Sequence, residues 1–469
     1  MLFYEPIFLF IFFPVVFTVY LALRNSAKGV LMWIALISII FYLWAEPKFF
    51  FLIFSSSILD YWLGRKIAKS NPSKLYLHVG IASNILLLVT FKYTGFIIGE
   101  IANPMASHIF GTNMKVPEFI LPIGISFLVF EKITYLVDIH RKISPPAESF
   151  FKYLFFVFFF PKLLAGPIIK YHEIEPQISK RSPFDAALVA AGFERFVLGV
   201  CKKVLIADPA SMVSDQIFNT PITQLTVIDS WIGALMFSIQ IYFDFSAYSD
   251  MAIGIAMMLG FRLQENFNFP YVSIGITEFW RRWHISLSTW IREYLYIPLG
   301  GNQISPMRTY LNLFIAFMAS GIWHGANWTY IAWGGFHGVF LIAERAFLGE
   351  WLKKIPTFIG IGFTFIVVVH SWVLFRSPNI GHAFEYWGKM YDFSNVDHSV
   401  YIPLSTLIIC GISLIASVTS RSWMTERVAA WIETPKIRLF LRTVLAVLFL
   451  YSLGKVLTQP FQPFLYFRF

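Results

Sequence analysis

Long apolar runs separated by short polar segments repeat along almost the whole chain. The runs at 7–23, 30–44, 49–63, 79–98 and 119–139 each approach the roughly 20 residues that cross hydrocarbon as a helix. Later runs fall at 228–243, 251–259 (a short one), 311–323, 328–347, 358–375, 403–417 and 439–457. No alternating ten-residue pattern suggests a barrel, and a backbone in lipid must satisfy its own hydrogen bonds. The pattern therefore predicts an all-α polytopic integral membrane protein with about eleven crossings plus re-entrant and interfacial helices. A single transmembrane domain, 1–469, is expected, with its most distinctive residues between 150 and 345.

The loops predict orientation. Arg24 and Lys28 follow the first run, Arg65, Lys66, Lys69 and Lys74 the third, and Arg141 and Lys142 the fifth, whereas the loops after the second and fourth are nearly neutral. Odd-numbered loops are thus expected in the cytoplasm, with the N-terminus on the opposite side. The alternation breaks at "FFKYLFFVFFFPKLLAGPIIKYHEI", which is basic on both flanks and interrupted by Pro161 and Gly166-Pro167. A re-entrant or interfacial piece fits better, since broken backbone survives at membrane depth only when packed in protein or lining a cavity. The helix expected over 186–205 carries Glu194, Arg195, Lys202 and Lys203 and should lie tilted or at the interface.

Composition agrees: 57% of residues are hydrophobic, 19% aromatic and only 14% charged, against roughly 25% charged in soluble domains. The net charge of +10 sits in short loops, as the positive-inside rule expects, so it is no nucleic-acid footprint. Cys201 and Cys410 show no disulfide or metal spacing. The first run has no basic segment before it and no small-residue cleavage site after it, so an uncleaved span is expected. No internal repeat and no soluble second domain are evident.

Three polar-aromatic islands interrupt the apolar background. "YFDFSAYSDMAIG" places Asp244 and Asp250 among tyrosines and serines, where they either face a cavity or hold structural partners. From Glu278, the second island has helical spacing that puts Trp280, His284, Leu287 and Ile291 on one face, with Arg281, Arg282 and Arg292 off it. It reads as a basic amphipathic helix ended by Pro298 and Gly300-Gly301, in which His284 either anchors or functions. The third, "SGIWHGANWTYIAWGGFHG", holds His324 at a Gly325-Ala326-Asn327 break, among small residues that permit close helix approach and tryptophans that each offer one donor. His337 lies thirteen residues on, about 220° around an ideal helix, so the two histidines are not expected to share a face.

The chain resembles the membrane-bound O-acyltransferases, and within them the alginate O-acetyltransferase membrane subunits. The resemblance rests on "FPKLLAGPIIKYHEI", "GVCKKVLIADP", "YFDFSAYSDMAIG", "ENFNFPYVSIGITEFWRRWHISLSTWIREYLYIPLGGN" and the "WHG" stretch, between Phe160 and Gly338. The N-terminal span and "SWVLFRS" extend it over nearly the whole chain. The resemblance implies a multi-helix fold around a transmembrane tunnel, with His324 as the catalytic histidine and His284 at the family's second polar position. It implies acetyl transfer from a cytoplasmic donor, acetyl-CoA, to an extracytoplasmic polysaccharide such as alginate, with no permanently bound cofactor. A periplasmic SGNH-hydrolase-like partner would complete the transfer, placing the protein in a bacterial cytoplasmic (inner) membrane.

A base for the attacking hydroxyl and donors for the oxyanion are then required. His324 is expected as the base, and His284, Asn327 or an indole N–H as a donor. Trp323, Asn327, Arg281 and Arg282 are candidates for donor binding. Lys202 and Lys203 belong to a basic face that attracts phosphate or simply follows the positive-inside rule. Peptidoglycan O-acetylation and D-alanyl transfer to teichoic acid are alternatives within the family. A transporter of an acyl donor, using Asp244, Asp250 and His324 as a proton relay, is the alternative of another class.

Overall fold

The computed structural model describes residues 1–69, 74–117, 119–394, 396, 402–418, 434–458 and 462–465, and every regular element among them is helical. By length and composition, Ala27–Ala45, Lys74–Lys92, Thr357–Arg376 and Pro435–Thr458 are able to cross a membrane, with Phe8–Leu23 and Leu404–Ile415 as shorter apolar helices. The chain divides into two compact units, one of residues 1–193 with 252–264 and one of 194–251 with 265–469.

In the first unit, apolar runs become helices where no breaker intervenes. Pro47–Lys69 absorbs the third run, whereas the fifth begins only at Ile125. Its start is set by Gly124 at φ 74°, where a side chain would collide with the Leu163 carbonyl. The expected re-entrant stretch is a broken element. Phe150–Phe158 ends at Phe159 (φ −48°, ψ 102°), Phe160–Leu163 is one short turn, and both are packed inside protein.

Buried charges in this unit are paired, as desolvation demands. Lys132 Nζ meets Asp60 Oδ2 at 2.9 Å and Ser56 Oγ at 2.8 Å, while Asn84 donates to Asp60 at 2.8 Å. Lys162 pairs with Glu131, which also accepts the Ile169 N–H at 3.1 Å.

Two expectations are corrected in the second set of elements. Runs 228–243 and 251–259 are not separate spans, because one 32-residue helix, Val227–Met258, joins them. Nothing between them breaks a helix, and the polar residues that divide the hydropathy pattern are neutralised sideways. Asp244 Oδ1 binds Lys203 at 2.9 Å, and Lys203 also binds Asp208 at 2.8 Å. Asp250 takes Arg195 at 2.9 Å and Lys202 at 2.7 Å. Both aspartates thus hold structural partners, and Asp250 also lines a cavity.

The helix expected from Glu278 onward is two helices, Ile276–Arg282 and Ile285–Ile291, broken at Trp283 and His284. The expected inward face survives the break, since Trp280, His284, Leu287 and Ile291 are all buried.

Pro306–His324 and Trp328–Ala343 form an antiparallel hairpin across the expected Gly-Ala-Asn break. Its closest approach is backbone on backbone: a side chain at Gly321 would strike the Tyr330 carbonyl, and one at Gly334 the Phe317 carbonyl. Such contact is what small residues at a helix interface permit.

Two outcomes are expected. Gly334→Ala forces the hairpin apart at a cost of about 1–3 kcal/mol, read as a lower melting temperature, and a melting temperature equal to wild type refutes the close crossing. On the nine-residue Tyr171–Ser179 helix, the Asp138 carboxylate accepts from His172 Nδ1 at 2.8 Å and holds the imidazole above its ordinary 6.5, aided by Glu173 and opposed by burial and Lys170. A raised folded value means the stabilisation is fully present below pH 6.5 and lost as pH rises through the folded value. The melting-temperature difference between wild type and His172→Gln should therefore shrink with rising pH, whereas a pH-independent difference would rule the ionic contribution out.

Candidate active site

The site lies in the second unit, where two helix breaks place two histidines against shared aromatic walls. The Pro306–His324 helix stops at His324 because Gly325 is extended and Asn327 begins a new helix, its side-chain oxygen accepting the Thr329 N–H at 3.0 Å. No further helical turn covers His324, so its ring enters an aromatic box. Trp333, Trp323 and Phe375 stand at centroid distances of 4.9, 5.0 and 5.5 Å, all steeply inclined to it. His324 is 5% exposed. Its Nδ1 lies 2.7 Å from the Ser320 carbonyl oxygen one turn back. A carbonyl only accepts, so Nδ1 carries the proton of the neutral ring and Nε2 the lone pair.

His284 sits at the other break, in the left-handed region (φ 43°, ψ 54°), which is uncommon for a residue other than glycine. It is fully buried, with Nδ1 3.1 Å from Asn266 Oδ1 and its ring edge-on to Phe245 at 4.6 Å. Its centroid is 6.1 Å from that of Trp323. Trp323 therefore contacts both His284 and His324, and the resemblance's two site histidines come together around one indole.

His337 departs from the expectation. The 220° separation holds only for a continuous helix; across the hairpin, His337 and His324 lie in ring contact with the same residue, Trp333, at 5.0 and 4.9 Å. His337 Nδ1 accepts the Trp280 indole N–H at 3.3 Å.

Among the other candidates, Asn327, Arg282 and Lys203 have structural partners. The Asn327 amide is engaged at both ends, accepting from Thr329 and donating one of its two N–H groups to the Pro378 carbonyl at 3.1 Å. Arg282 pairs with Glu278 at 2.8 Å and Arg281 is exposed. Lys203 is buried in its aspartate pair rather than lying on a basic face. Lys202 and Arg195 border a cavity of about 270 Å³ with Asp250, Glu265, Ser249 and Asn266.

Sequence reasoning assigned nothing to Asn266, Ser249 or Phe375. Asn266 lies within a motif stretch, but its pairing with a residue eighteen positions on follows no helical period. Phe375 lies in "SWVLFRS" at the end of an apolar run, where nothing local marks its ring as a wall against His324.

The family model for MBOAT, the membrane-bound O-acyltransferase family, matches residues 126–376, which contain both histidines. A probable alginate O-acetylase AlgI of Pseudomonas putida is 36% identical over the whole of both chains. Its Pseudomonas aeruginosa counterpart is 40% identical over 84% of this chain and 75% of its own. A peptidoglycan O-acetyltransferase of Helicobacter pylori is 36% identical over 82% of this chain and 79% of its own. With the helical fold and the paired histidines, these similarities lead to one conclusion: the chain belongs to the membrane-bound O-acyltransferase family, as a multi-pass membrane enzyme that transfers acyl groups to hydroxyls.

Proposed function

We propose that this O-acyltransferase takes acetyl groups from cytoplasmic acetyl-CoA and passes them across a bacterial cytoplasmic membrane for O-acetylation of an extracytoplasmic polysaccharide. A periplasmic SGNH-hydrolase-like partner completes the delivery. The observation that carries the reading is the His324 ring, held by Ser320 with its lone pair on Nε2, inside an aromatic box shared with a second histidine. The names of the similar proteins favour alginate or a related polymer as acceptor, with peptidoglycan next.

The chemistry follows from that geometry. His324 Nε2 takes the proton of the acceptor hydroxyl as its oxygen attacks the thioester carbonyl. The tetrahedral intermediate collapses, the C–S bond breaks, and the leaving thiolate recovers the proton from Nε2. While the intermediate lasts, its oxyanion needs a fixed donor in a dry site. We assign that role to the Trp333 indole N–H, which is fully buried, has no hydrogen-bond acceptor among the described residues and belongs to the box around His324. Leaving a buried donor unpaired costs about 1–3 kcal/mol, a cost that a substrate oxygen removes.

The transporter alternative needs Asp244 and Asp250 as proton carriers. Both are instead tied to lysine or arginine partners, which favours the enzymatic reading.

Purified wild type and His324→Ala, given radiolabelled acetyl-CoA with and without a polysaccharide acceptor and the periplasmic partner, test the proposal. His324→Ala should lower CoA release about 10²–10⁴-fold while the protein still inserts and melts as wild type does. Equal release by both proteins, or labelled donor crossing vesicles without CoA release, would sink it. Trp333→Phe should lower kcat about 10²–10³-fold with KM for acetyl-CoA little changed; an unaltered kcat removes the indole from the oxyanion site.

A further inference from the structure

Asn266 grips the His284 ring with its side chain and the peptide group that follows His284 with its carbonyl, while Ser286 Oγ lies 3.4 Å from His284 Nδ1. Asn266 is 1% exposed, and three groups converge on its side-chain oxygen. The Ser286 N–H donates at 3.2 Å, the Ser286 hydroxyl at 2.9 Å, and His284 Nδ1 lies at 3.1 Å. A backbone N–H only donates, so the Asn266 atom facing Ser286 is the oxygen and not the NH2 group. The other end of the amide agrees, because Asn266 Nδ2 donates to Ser249 Oγ at 3.0 Å. An amide oxygen only accepts, so the His284 nitrogen directed at it carries the proton. The Ser286 hydroxyl, 3.4 Å from that nitrogen, has the shorter bond to the Asn266 oxygen at 2.9 Å and donates its one proton there.

The backbone repeats the grip. The Asn266 carbonyl accepts the Ile285 N–H at 2.9 Å, and the Asn268 N–H donates to the Arg282 carbonyl at 2.9 Å. These bonds bracket the left-handed His284, a conformation that costs on the order of 1–3 kcal/mol and persists only when its surroundings enforce it. His337 makes the opposite choice: the Trp280 indole N–H donates to its Nδ1, which puts the His337 proton on Nε2.

We infer that Asn266 is a positioning residue that locks His284 in the Nδ1–H tautomer, so that His284 meets substrate as a hydrogen-bond acceptor through Nε2 and not as an oxyanion donor. The role of His284 toward substrate rests on the acetyltransferase reading above, whereas its tautomer does not. His284 and His324 then carry the same protonation pattern, both in ring contact with Trp323. One Nε2 takes the hydroxyl proton, and the other accepts a hydrogen bond from the incoming group and orients it. The expectation that His284 donates to the oxyanion is thereby reversed.

The full-length protein in lipid, labelled with ring-¹⁵N histidine, gives the tautomer directly by NMR. One-bond N–H couplings identify the protonated nitrogen, and His284→Gln identifies the His284 signals among the ten histidines. Wild type should show His284 protonated at Nδ1 and bare at Nε2. Asn266→Asp, which keeps the accepting oxygen, should retain that pattern, and Asn266→Leu should lose it.

In turnover, Asn266→Leu should reduce kcat about 10–100-fold, with KM for acetyl-CoA within about twofold of wild type and Asn266→Asp recovering most of the loss. A wild-type His284 protonated at Nε2 overturns the inference, as does an Asn266→Leu protein that keeps both the Nδ1–H pattern and wild-type kcat. Should Asn266→Leu fail to fold, the wild-type and Asn266→Asp spectra still decide. A wild type that shows the expected tautomer yet never consumes acetyl-CoA would refute the acetyl-transfer reading and leave the Asn266 assignment standing.

Discussion

Charge and broken backbone cannot be left unsatisfied in an apolar medium, and the rest of this structure depends on that constraint. Among the described residues, the chain carries lysines, aspartates and histidines deep inside its helical units, held by specific partners. Lys132 with Asp60, Lys162 with Glu131, and Lys203 with Asp244 and Asp208 are ion pairs rather than isolated charges. Removing one member of such a pair would leave its partner charged and dry, at a cost of about 3–5 kcal/mol. The same constraint applies to every helix break, where carbonyls and N–H groups lose their helical partners. Breaks are tolerated only where a side chain or another segment replaces the lost bonds, as Asn327 and Asn266 do.

Helix breaks are also where the chemistry sits, and the link is physical. Within a continuous helix, a side chain lies over the preceding turn and the backbone is fully occupied. At His324 the helix ends, and the ring is turned into the aromatic box while the carbonyl of the preceding turn fixes its tautomer. At His284 the backbone enters the left-handed region between two short helices, and a distant asparagine supplies what a helix would otherwise provide. The first histidine is positioned by its own helix, the second by a tertiary contact.

That difference explains what was legible in the sequence. Apolar runs gave Thr357–Arg376 to within a residue at each end. They placed the C-terminal ends of Ala27–Ala45 and Pro435–Thr458 equally well while starting three and four residues late, because polar and basic residues open those two helices where hydropathy sees none. The Gly-Ala-Asn break after His324 was readable because glycine and a capping asparagine are local signals. The break at His284 carried no such signal. "FWRRWHISLSTW" keeps helical spacing through it, and only the Asn266 contacts overrule the pattern. The division of Val227–Met258 into two runs failed for the converse reason: hydropathy registers aspartates as interruptions, while lysines on another element neutralise them. Likewise, the angular argument separating His324 from His337 was valid for one helix and irrelevant to a hairpin.

Trp323 and Trp333 carry the consequence furthest. A base and its neighbouring histidine must be close enough to share a substrate yet must not bond to each other, since an imidazole paired with its neighbour has no lone pair left for a hydroxyl. A rigid indole in ring contact with both histidines ties them to one site: Trp323 lies at centroid distances of 6.1 Å from His284 and 5.0 Å from His324. Trp333 supplies a further wall against His324 and, through the Gly321–Gly334 crossing, that wall is fixed to the helix bearing the histidine. The small residues and the large ones thus serve one geometry. Glycines bring two backbones into contact so that tryptophans can hold an imidazole, dry and correctly protonated, at the end of a helix.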